Sequence, residues 1–184
     1  MRKLIYAINV TLDGYADHQA GIADAELHTF YADLLRTSDT ILYGRVTYQL
    51  MASYWPMAPD LPTSTPDEIY FAHEINRIQK IVFSKTLQKV EWSNSRLVRD
   101  DAAEEVIRLK SQPGKDIFVG GLTFAASLMD LGLIDEYWLV VQPILLGSGT
   151  PLTKELHNRV DLKLIEYKPF NSGVIALHYQ KIDR

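Results

Sequence analysis

Three short segments of the sequence carry side chains that could do chemistry, and each follows an apolar run typical of a buried β-strand. They combine glycine with hydroxyl or cationic side chains: Gly44-Arg45-Val46-Thr47, Ser84-Lys85-Thr86 and Gly120-Gly121-Leu122-Thr123. Glycine lets a ligand approach the backbone closely, because no Cβ is in the way. Arginine donates two parallel hydrogen bonds to phosphate oxygens, and a helix N-terminus offers free amides to the same oxygens. Each segment could therefore hold a phosphate group.

The run from Asp116 to Met129 predicts a buried strand, a tight turn at Gly120-Gly121 and a helix that opens at the turn. We expect this turn to hold the pyrophosphate of a dinucleotide, although a plain packing turn would look the same. Ser84, Lys85 and Thr86 could bind the ribose 2′-phosphate that separates NADP from NAD, or form a solvated turn. Arg45 could bind phosphate or pair with a surface carboxylate.

One carboxylate is expected near the same edge of the sheet. Asp13 lies in an Asp-Gly turn directly after the first predicted strand, Lys3–Val10. In open α/β sheets, ligands bind outside the carboxyl ends of the strands. Asp13 is therefore a candidate catalytic residue, and its alternative role is that of a turn-capping side chain.

Hydrophobic periodicity predicts the elements that position these segments. Besides the run from Asp116 to Met129, the predicted strands are Lys3–Val10, Thr40–Tyr43, Lys80–Thr86, Ser95–Val98 and Trp138–Val141, followed by a hairpin of Val160–Tyr167 and Val174–Lys181. The predicted helices are Asp24–Thr37, Thr47–Ala52, Asp67–Ile78 and Ala102–Lys110. This order predicts an α/β three-layer fold, with a mostly parallel mixed sheet, a C-terminal antiparallel hairpin and helices on both faces. We expect a single domain over residues 1–184.

Composition narrows the function further. The net charge is −4 and no basic block is present, so nucleic-acid binding is not expected. The absence of cysteine excludes disulfides, thiolate metal sites and cysteine nucleophiles, and the five scattered histidines lack metal-ligand spacing. No stretch is long and apolar enough for a membrane span, and the first apolar run is too polar for a signal peptide. We expect a cytoplasmic protein without a metal, with a proline-rich loop over residues 55–66 beside its site.

The chain resembles the dihydrofolate reductase-like superfamily, and more closely the reductase domain of bacterial riboflavin biosynthesis proteins. The matching motifs are Leu12-Asp13-Gly14, Tyr43-Gly44-Arg45-Val46-Thr47-Tyr48, Ile81 to Leu87, Val119-Gly120-Gly121, Leu133 to Glu136 and Pro143 to Gly149. The resemblance implies NADPH as hydride donor and a homodimer. It implies that Gly44, Arg45 and Thr47 contact the cofactor's phosphates and adenosine side. It also implies that Ser84 and Lys85 meet the 2′-phosphate, and that Gly120, Gly121, Leu122 and Thr123 meet the pyrophosphate.

The riboflavin branch implies a 5-amino-6-(5-phosphoribosylamino)uracil reductase, which reduces a ribosylaminopyrimidine phosphate at its ribose carbonyl carbon. We hypothesise that Asp13 lies beside the nicotinamide–substrate junction and orients the substrate or a water, with Glu26 on the first helix as a weaker candidate. Folate reductases place an acid on that helix, but this chain lacks their Leu-Pro-Trp loop, and it also lacks the zinc-deaminase cysteines. A folate or pterin reductase and a non-catalytic nucleotide-binding protein are the alternatives.

Overall fold

A single twisted sheet organises the computed structural model, which describes residues 1–154 and 156–182. Its eight strands are β1 (Leu4–Thr11), β2 (Ser38–Gly44), β3 (Gln79–Phe83), β4 (Ser95–Val98), β5 (Asp116–Gly120), β6 (Glu136–Gln142), β7 (Leu162–Pro169) and β8 (Ile175–Lys181). They lie in the order β4-β3-β2-β5-β1-β6-β8-β7. The first six in this order run parallel, whereas β8 is antiparallel to β6 and pairs with β7 as the predicted hairpin.

The described residues form five α-helices, each connecting strands of the sheet. They are α1 (Ala25–Arg36), α2 (Arg45–Ala52), α3 (Pro66–Arg77), α4 (Ala102–Ser111) and α5 (Leu122–Asp130). Three of them begin where a polar side chain accepts a hydrogen bond from a first-turn amide, as helix caps do: Asp24 caps α1, Thr65 caps α3 and Asp101 caps α4. The helix boundaries that periodicity predicted for α1, α3 and α4 are therefore correct to within about one or two residues.

Two hydrophobic cores cover the two faces of the sheet. On one face, Leu27 and Phe30 of α1 and Phe71 of α3 pack with Phe118 and Trp138 of the sheet. On the other face, α4 and α5 bury Val106, Leu109, Ala125 and Leu128 against Leu4, Tyr6, Ile117 and Val119. Neighbouring residues of β1 and β5 thus alternate between the cores, as the pleat of a strand requires. The predicted three-layer fold is confirmed.

Two segments next to the predicted site differ from the expectation. Strand β3 ends at Phe83, not at Thr86, because the Ser84 hydroxyl accepts hydrogen bonds from the amides of Thr86 and Leu87 and closes a local turn. Helix α2 begins at Arg45, two residues earlier than predicted. The proline-rich segment after it packs through Trp55 against Phe71, with ring centroids 4.5 Å apart.

Candidate functional site

The connections around β5 create a crevice at the carboxyl ends of the central strands. Strand β5 lies between β2 and β1 in the sheet. The helices that follow β1 and β2 pack on one face, whereas α5, which follows β5, packs on the other. In open α/β sheets such a change of face separates two neighbouring connections, and ligands bind in the gap.

The structure brings the three predicted segments to this crevice. Strands β3, β2 and β5 are consecutive, and their register pairs Gly44 with Phe83 and Tyr43 with Gly120. The three segments therefore leave the sheet side by side. Contact is closest between the first and third, because a Cβ on Gly121 would lie 2.3 Å from the Thr47 hydroxyl oxygen. Gly121 also has a φ of 95°, which other residues rarely adopt.

Two helices start at these strand ends without a side-chain cap. Helix α2 follows Gly44 and helix α5 follows Gly121, and neither glycine can supply the hydrogen bond that the caps of α1, α3 and α4 provide. The first-turn amides, which in α5 include those of Leu122 and Thr123, are therefore left for another acceptor. Because helix N-termini carry partial positive charge, these two neighbouring starts suit an anion.

Two cations flank the helix starts. Arg45 is exposed and donates to the side-chain oxygen of Gln49 at 3.2 Å, and no carboxylate in residues 1–154 and 156–182 forms an ion pair with it. The alternative of a surface ion pair is therefore absent from the described chain. Lys85 is also exposed, and together with Ser84 and Arg99 it lines a cavity of about 300 Å³. Asp100 and Asp101 line the same cavity, so its charge is mixed.

Asp13 connects the loop that contains Leu146 and Gly147 to the end of β1 through hydrogen bonds. Its carboxylate accepts hydrogen bonds from the Thr11 hydroxyl at 2.6 Å, the Gly147 amide at 2.7 Å and the Leu146 amide at 3.1 Å. The Thr11 hydrogen bond, followed by the Gly147 amide, lowers the pKa of the Asp13 carboxyl to about 2. A carboxylate with this pKa carries no proton near neutral pH, so Asp13 can orient groups there but cannot donate a proton.

Glu26 lies on the first turn of α1 and is also engaged. Its carboxylate accepts a hydrogen bond from the Asn171 amide at 2.9 Å, which ties α1 to the turn between β7 and β8. Asp33, the second acid of this helix, accepts from the Tyr70 hydroxyl at 2.8 Å and so faces α3. In the structure, both acids of α1 therefore hold the protein's own elements together.

Sequence reasoning missed a cluster of polar side chains at the ends of β1 and β6. Asn9, Gln142 and Tyr31 are joined by hydrogen bonds, and Gln142 is buried with only 1% of its surface exposed. The available signal was that Asn9 interrupts an otherwise apolar strand and that Gln142 ends another. Polar residues at such positions are either paired in the fold or directed at a ligand.

Among the described residues, no group of three or more His, Asp or Glu side chains is arranged to hold a metal ion. None of the described helices is long and apolar enough to cross a membrane.

Both the sequence and the fold of this chain are similar to those of known proteins. The uncharacterized protein YyaP of Bacillus subtilis (strain 168) is 34% identical over 182 residues, which cover 97% of this chain and 94% of YyaP. A putative riboflavin biosynthesis protein from Shewanella sp. PV-4 has a TM-score of 0.75 at 20% identity, and the match covers 98% of this chain and 99% of that one.

Dihydrofolate reductase from Enterococcus faecalis, complexed with NADP(H), has a TM-score of 0.66 at 14% identity, covering 98% of this chain and 97% of that one. Likeness at this identity shows the fold, which is dihydrofolate reductase-like as predicted. The family model of the RibD C-terminal domain matches residues 2–176. Since that match spans nearly the whole sequence, this chain belongs to the RibD C-terminal domain family.

Proposed function

We propose that this protein is an NADPH-dependent reductase that transfers hydride to a small polar substrate. The observation that carries the proposal is the pair of uncapped helix starts, at Gly44 and Gly121, on neighbouring strands of one crevice. Two sets of free amides beside an arginine that has no ion-pair partner among the described residues suit a ligand with several phosphates. The E. faecalis reductase, which shares the fold, is complexed with NADP(H), and this supports the cofactor assignment.

Each of the three segments of the crevice is assigned to one part of NADPH, and the parts follow the order of the segments across the sheet. The first-turn amides of α5, at Gly121, Leu122 and Thr123, would hold the pyrophosphate, with Gly120 leaving room for it. Gly44, Arg45 and Thr47 would contact phosphates and the adenosine side. Ser84, Lys85 and Thr86 would meet the 2′-phosphate, beside the cavity that Lys85 lines. Bound NADPH supplies the hydride, and the chain's own residues bind, orient and exclude water.

The substrate that we propose is a ribosylaminopyrimidine phosphate, as in the 5-amino-6-(5-phosphoribosylamino)uracil reductase activity of the riboflavin branch. Membership of the RibD C-terminal domain family supports this choice. Asp13 would act by orienting groups at the end of β1 as a permanent carboxylate, and Glu26 by fixing α1 against the hairpin turn. A folate or pterin substrate has less support, because both acids of α1 are bound by Asn171 and Tyr70.

Fluorescence titration with NADPH and with NADH tests the proposal. We expect NADPH to bind at least tenfold more tightly, and Ser84→Ala/Lys85→Ala to remove the preference while leaving NADH affinity unchanged. Lys89→Ala is the matched control, because Lys89 follows in the same loop but is paired with Glu91 at 2.5 Å. Equal affinities in the wild type would refute the 2′-phosphate assignment, and failure to bind either coenzyme would refute the function. The homodimer and the cytoplasmic location stay predictions.

A further inference from the structure

Asn9 lies beside the proposed hydride-transfer crevice. The register of β1 with β5 pairs Tyr6 with Val119, so Ala7 is level with Gly120 and Asn9 lies two residues beyond it. With about 3.3 Å per residue and about 4.8 Å between strands, Asn9 is roughly 8 Å from Gly120. It projects to the face that α1 covers, since Ile5 and Ala7 of the same strand face pack in that core.

A chain of hydrogen bonds fixes which end of the Asn9 amide faces outward. The Ile22 backbone amide can only donate, and it donates to the side-chain oxygen of Gln142 at 2.9 Å. The Gln142 nitrogen therefore points the other way and donates to the Asn9 oxygen at 3.1 Å. The Tyr31 hydroxyl donates to the same oxygen at 3.1 Å, and burial raises the pKa of Tyr31, so it keeps its proton.

The Asn9 nitrogen is left with its two hydrogens. No atom of the described chain accepts a hydrogen bond from this nitrogen. The nitrogen is not fully buried, so another molecule can supply the acceptor. Asn9 is half-buried and lies on β1, the strand next to β5 and its Gly120. A buried network that holds one end of an amide fixed while the other end stays open presents a preorganised donor.

We propose that the Asn9 side-chain nitrogen recognises a carbonyl oxygen of the substrate, such as the ring carbonyl of a uracil, and that Gln142 is the positioning residue behind it. The inference rests on the proposed function, because it places a substrate next to the coenzyme. A site that presents a hydrogen-bond donor binds a carbonyl oxygen well. It binds poorly an analogue with an amino group at that position, since two donors then face each other without a hydrogen bond.

Calorimetric titration of the protein with two matched probes, in the absence and in the presence of excess NADP⁺, tests the inference. 5,6-Diaminouracil carries ring carbonyls, whereas 2,4,5,6-tetraaminopyrimidine carries amino groups in their place. We expect the wild type to prefer the uracil by at least tenfold, and Asn9→Asp, which replaces the donor by an acceptor, to reverse the preference. Asn9→Ser should bind both probes equally, and it keeps the test open if the aspartate variant does not fold. Gln112→Glu, an exposed amide-to-acid change at the opposite end of the sheet, should bind like the wild type.

Equal binding of both probes by the wild type, or no binding of either by protein that still binds NADPH, would overturn the inference. A preference that survives in Asn9→Asp would do the same. Failure of NADPH binding, with the uracil preference intact, would instead refute the proposed coenzyme and leave the Asn9 site standing. The two ideas are thus separable.

A second surface, the outer edge of β7, carries an independent inference. β7 is the last strand of the sheet, and no other described strand pairs with its outer edge. Leu164 and Ile165 are each 47% exposed and Tyr167 is 67% exposed. An edge strand of eight residues with exposed apolar side chains is a template for pairing with another strand.

A bulge gives this edge a pattern that complements itself. The pairing of β7 with β8 skips Ile165, so Leu162 and Tyr167 project to one face of the sheet. Lys163 and Glu166 project to the other face. If two copies of β7 pair antiparallel about an axis between residues 164 and 165, Lys163 of each copy meets Glu166 of the other on the same face, and Leu162 meets Tyr167.

We infer that β7 pairs with β7 of a second copy of this chain, in the register that sets Lys163 opposite Glu166 of the partner subunit. Lysines and a bulge discourage pairing with unrelated strands. A second copy supplies the opposite charge at each of these positions, so the same features select it. The pairing would also cover the exposed apolar side chains of the edge.

Light scattering after size-exclusion chromatography tests this register. We expect a dimer for the wild type, a dissociation constant at least tenfold larger for Lys163→Glu and for Glu166→Lys, and a restored dimer for the double exchange. Lys163→Glu leaves the contact of Glu166 with His178 intact, so it is the cleaner single variant. Lys154→Glu, an exposed charge reversal outside β7, should stay dimeric. A monomeric wild type, unaffected single variants or a double exchange that stays monomeric would each overturn the inference.

Discussion

Charged side chains are ion-paired at one end of the parallel sheet and lack ion-pair partners in the described chain at the other. At the amino ends, charges are paired: Arg2 with Asp39, Lys110 with Asp135 at 2.6 Å and Lys3 with Glu136 at 2.6 Å. At the carboxyl ends, Arg45 and Lys85 have no ion-pair partner within the described chain, and α2 and α5 start uncapped. One end uses its polar groups to hold the fold, and the other leaves them available to a ligand. Substitutions at the two ends should therefore affect different measurements.

The largest effect is expected at Lys80, on the amino-end side. This lysine is fully buried, and its ammonium donates to the carbonyls of Ile78, Asn76 and Ser93 at 2.8, 3.0 and 3.2 Å. Lys80→Ala removes the stem from the core and takes the ammonium donor from three carbonyls, of which that of Asn76 keeps the Asn94 amide as a second donor. This should cost about 3 kcal/mol of unfolding free energy in urea. NADPH affinity of the folded variant should match the wild type. A loss of affinity without a loss of stability would contradict the division between the two ends.

Because Lys80 is buried, its contribution to stability should depend on pH. Burial lowers the pKa of the Lys80 ammonium to about 8, from an ordinary value of 10.5. Between these values the unfolded chain binds more protons than the folded one, so the lysine's contribution to stability should increase as the pH rises. The stability difference between wild type and Lys80→Ala, measured by urea unfolding at pH 7 and pH 9.5, should therefore be larger at pH 9.5. A difference that shrinks would mean that the ammonium stays charged in the fold.

The next effect is expected at Gly121, where the segment after β5 touches Thr47 of α2. Gly121→Ala adds a Cβ 2.3 Å from the Thr47 hydroxyl oxygen at a φ of 95°. The strain should reduce stability by about 1–3 kcal/mol, and the shifted start of α5 should weaken NADPH binding at least tenfold. Gly132→Ala is the control, because Gly132 also has a positive φ of 65° but lies at the far end of α5. It should lose stability and keep its affinity, as measured by urea unfolding and fluorescence titration.

A smaller effect, on NADPH affinity, is expected when Arg45 at the carboxyl ends of the strands is compared with Arg77 at the amino ends. Arg45→Ala should weaken NADPH binding about tenfold, which corresponds to about 1.4 kcal/mol, and change stability by less than about 0.5 kcal/mol. Arg77→Ala is the counterpart, because Arg77 is similarly exposed but is paired with Glu74 at 2.8 Å. It should leave binding unchanged. Equal effects of the two substitutions on affinity would mean that Arg45 has no special role.

Much of this contrast could be predicted from local sequence. The apolar run into Gly120-Gly121 indicated a strand, a turn and a helix, and parallel strands end at a common edge, so the three segments were expected together. The end of β3 at Phe83 was not predicted, and a turn at Ser84 was expected only as an alternative, because its hydroxyl replaces strand pairing by local hydrogen bonds. Contacts such as that of Asp13 with Leu146, 133 residues away, depend on strand order, which periodicity does not report. The link between Asn9 and Gln142 was missed for the same reason.

The smallest effect concerns Asp13, whose carboxylate joins the end of β1 to the loop after β6. Its folded-state pKa of about 2 lies below the ordinary value of 3.8, so its contribution to stability is present above pH 3.8 and is lost as the pH falls toward 2. Asp13→Asn keeps an oxygen for one amide but turns a second donor toward the other, so the loop at Gly147 should loosen. The melting temperatures of wild type and variant should differ slightly at pH 6 and converge near pH 2. Hydrogen exchange at the Gly147 amide should be faster in the variant only above about pH 2, where the folded wild-type carboxylate is charged. Equal exchange at every pH would show that the loop is held by its other contacts, such as the Leu12 amide with the Ile144 carbonyl, and that the carboxylate is free to meet a ligand.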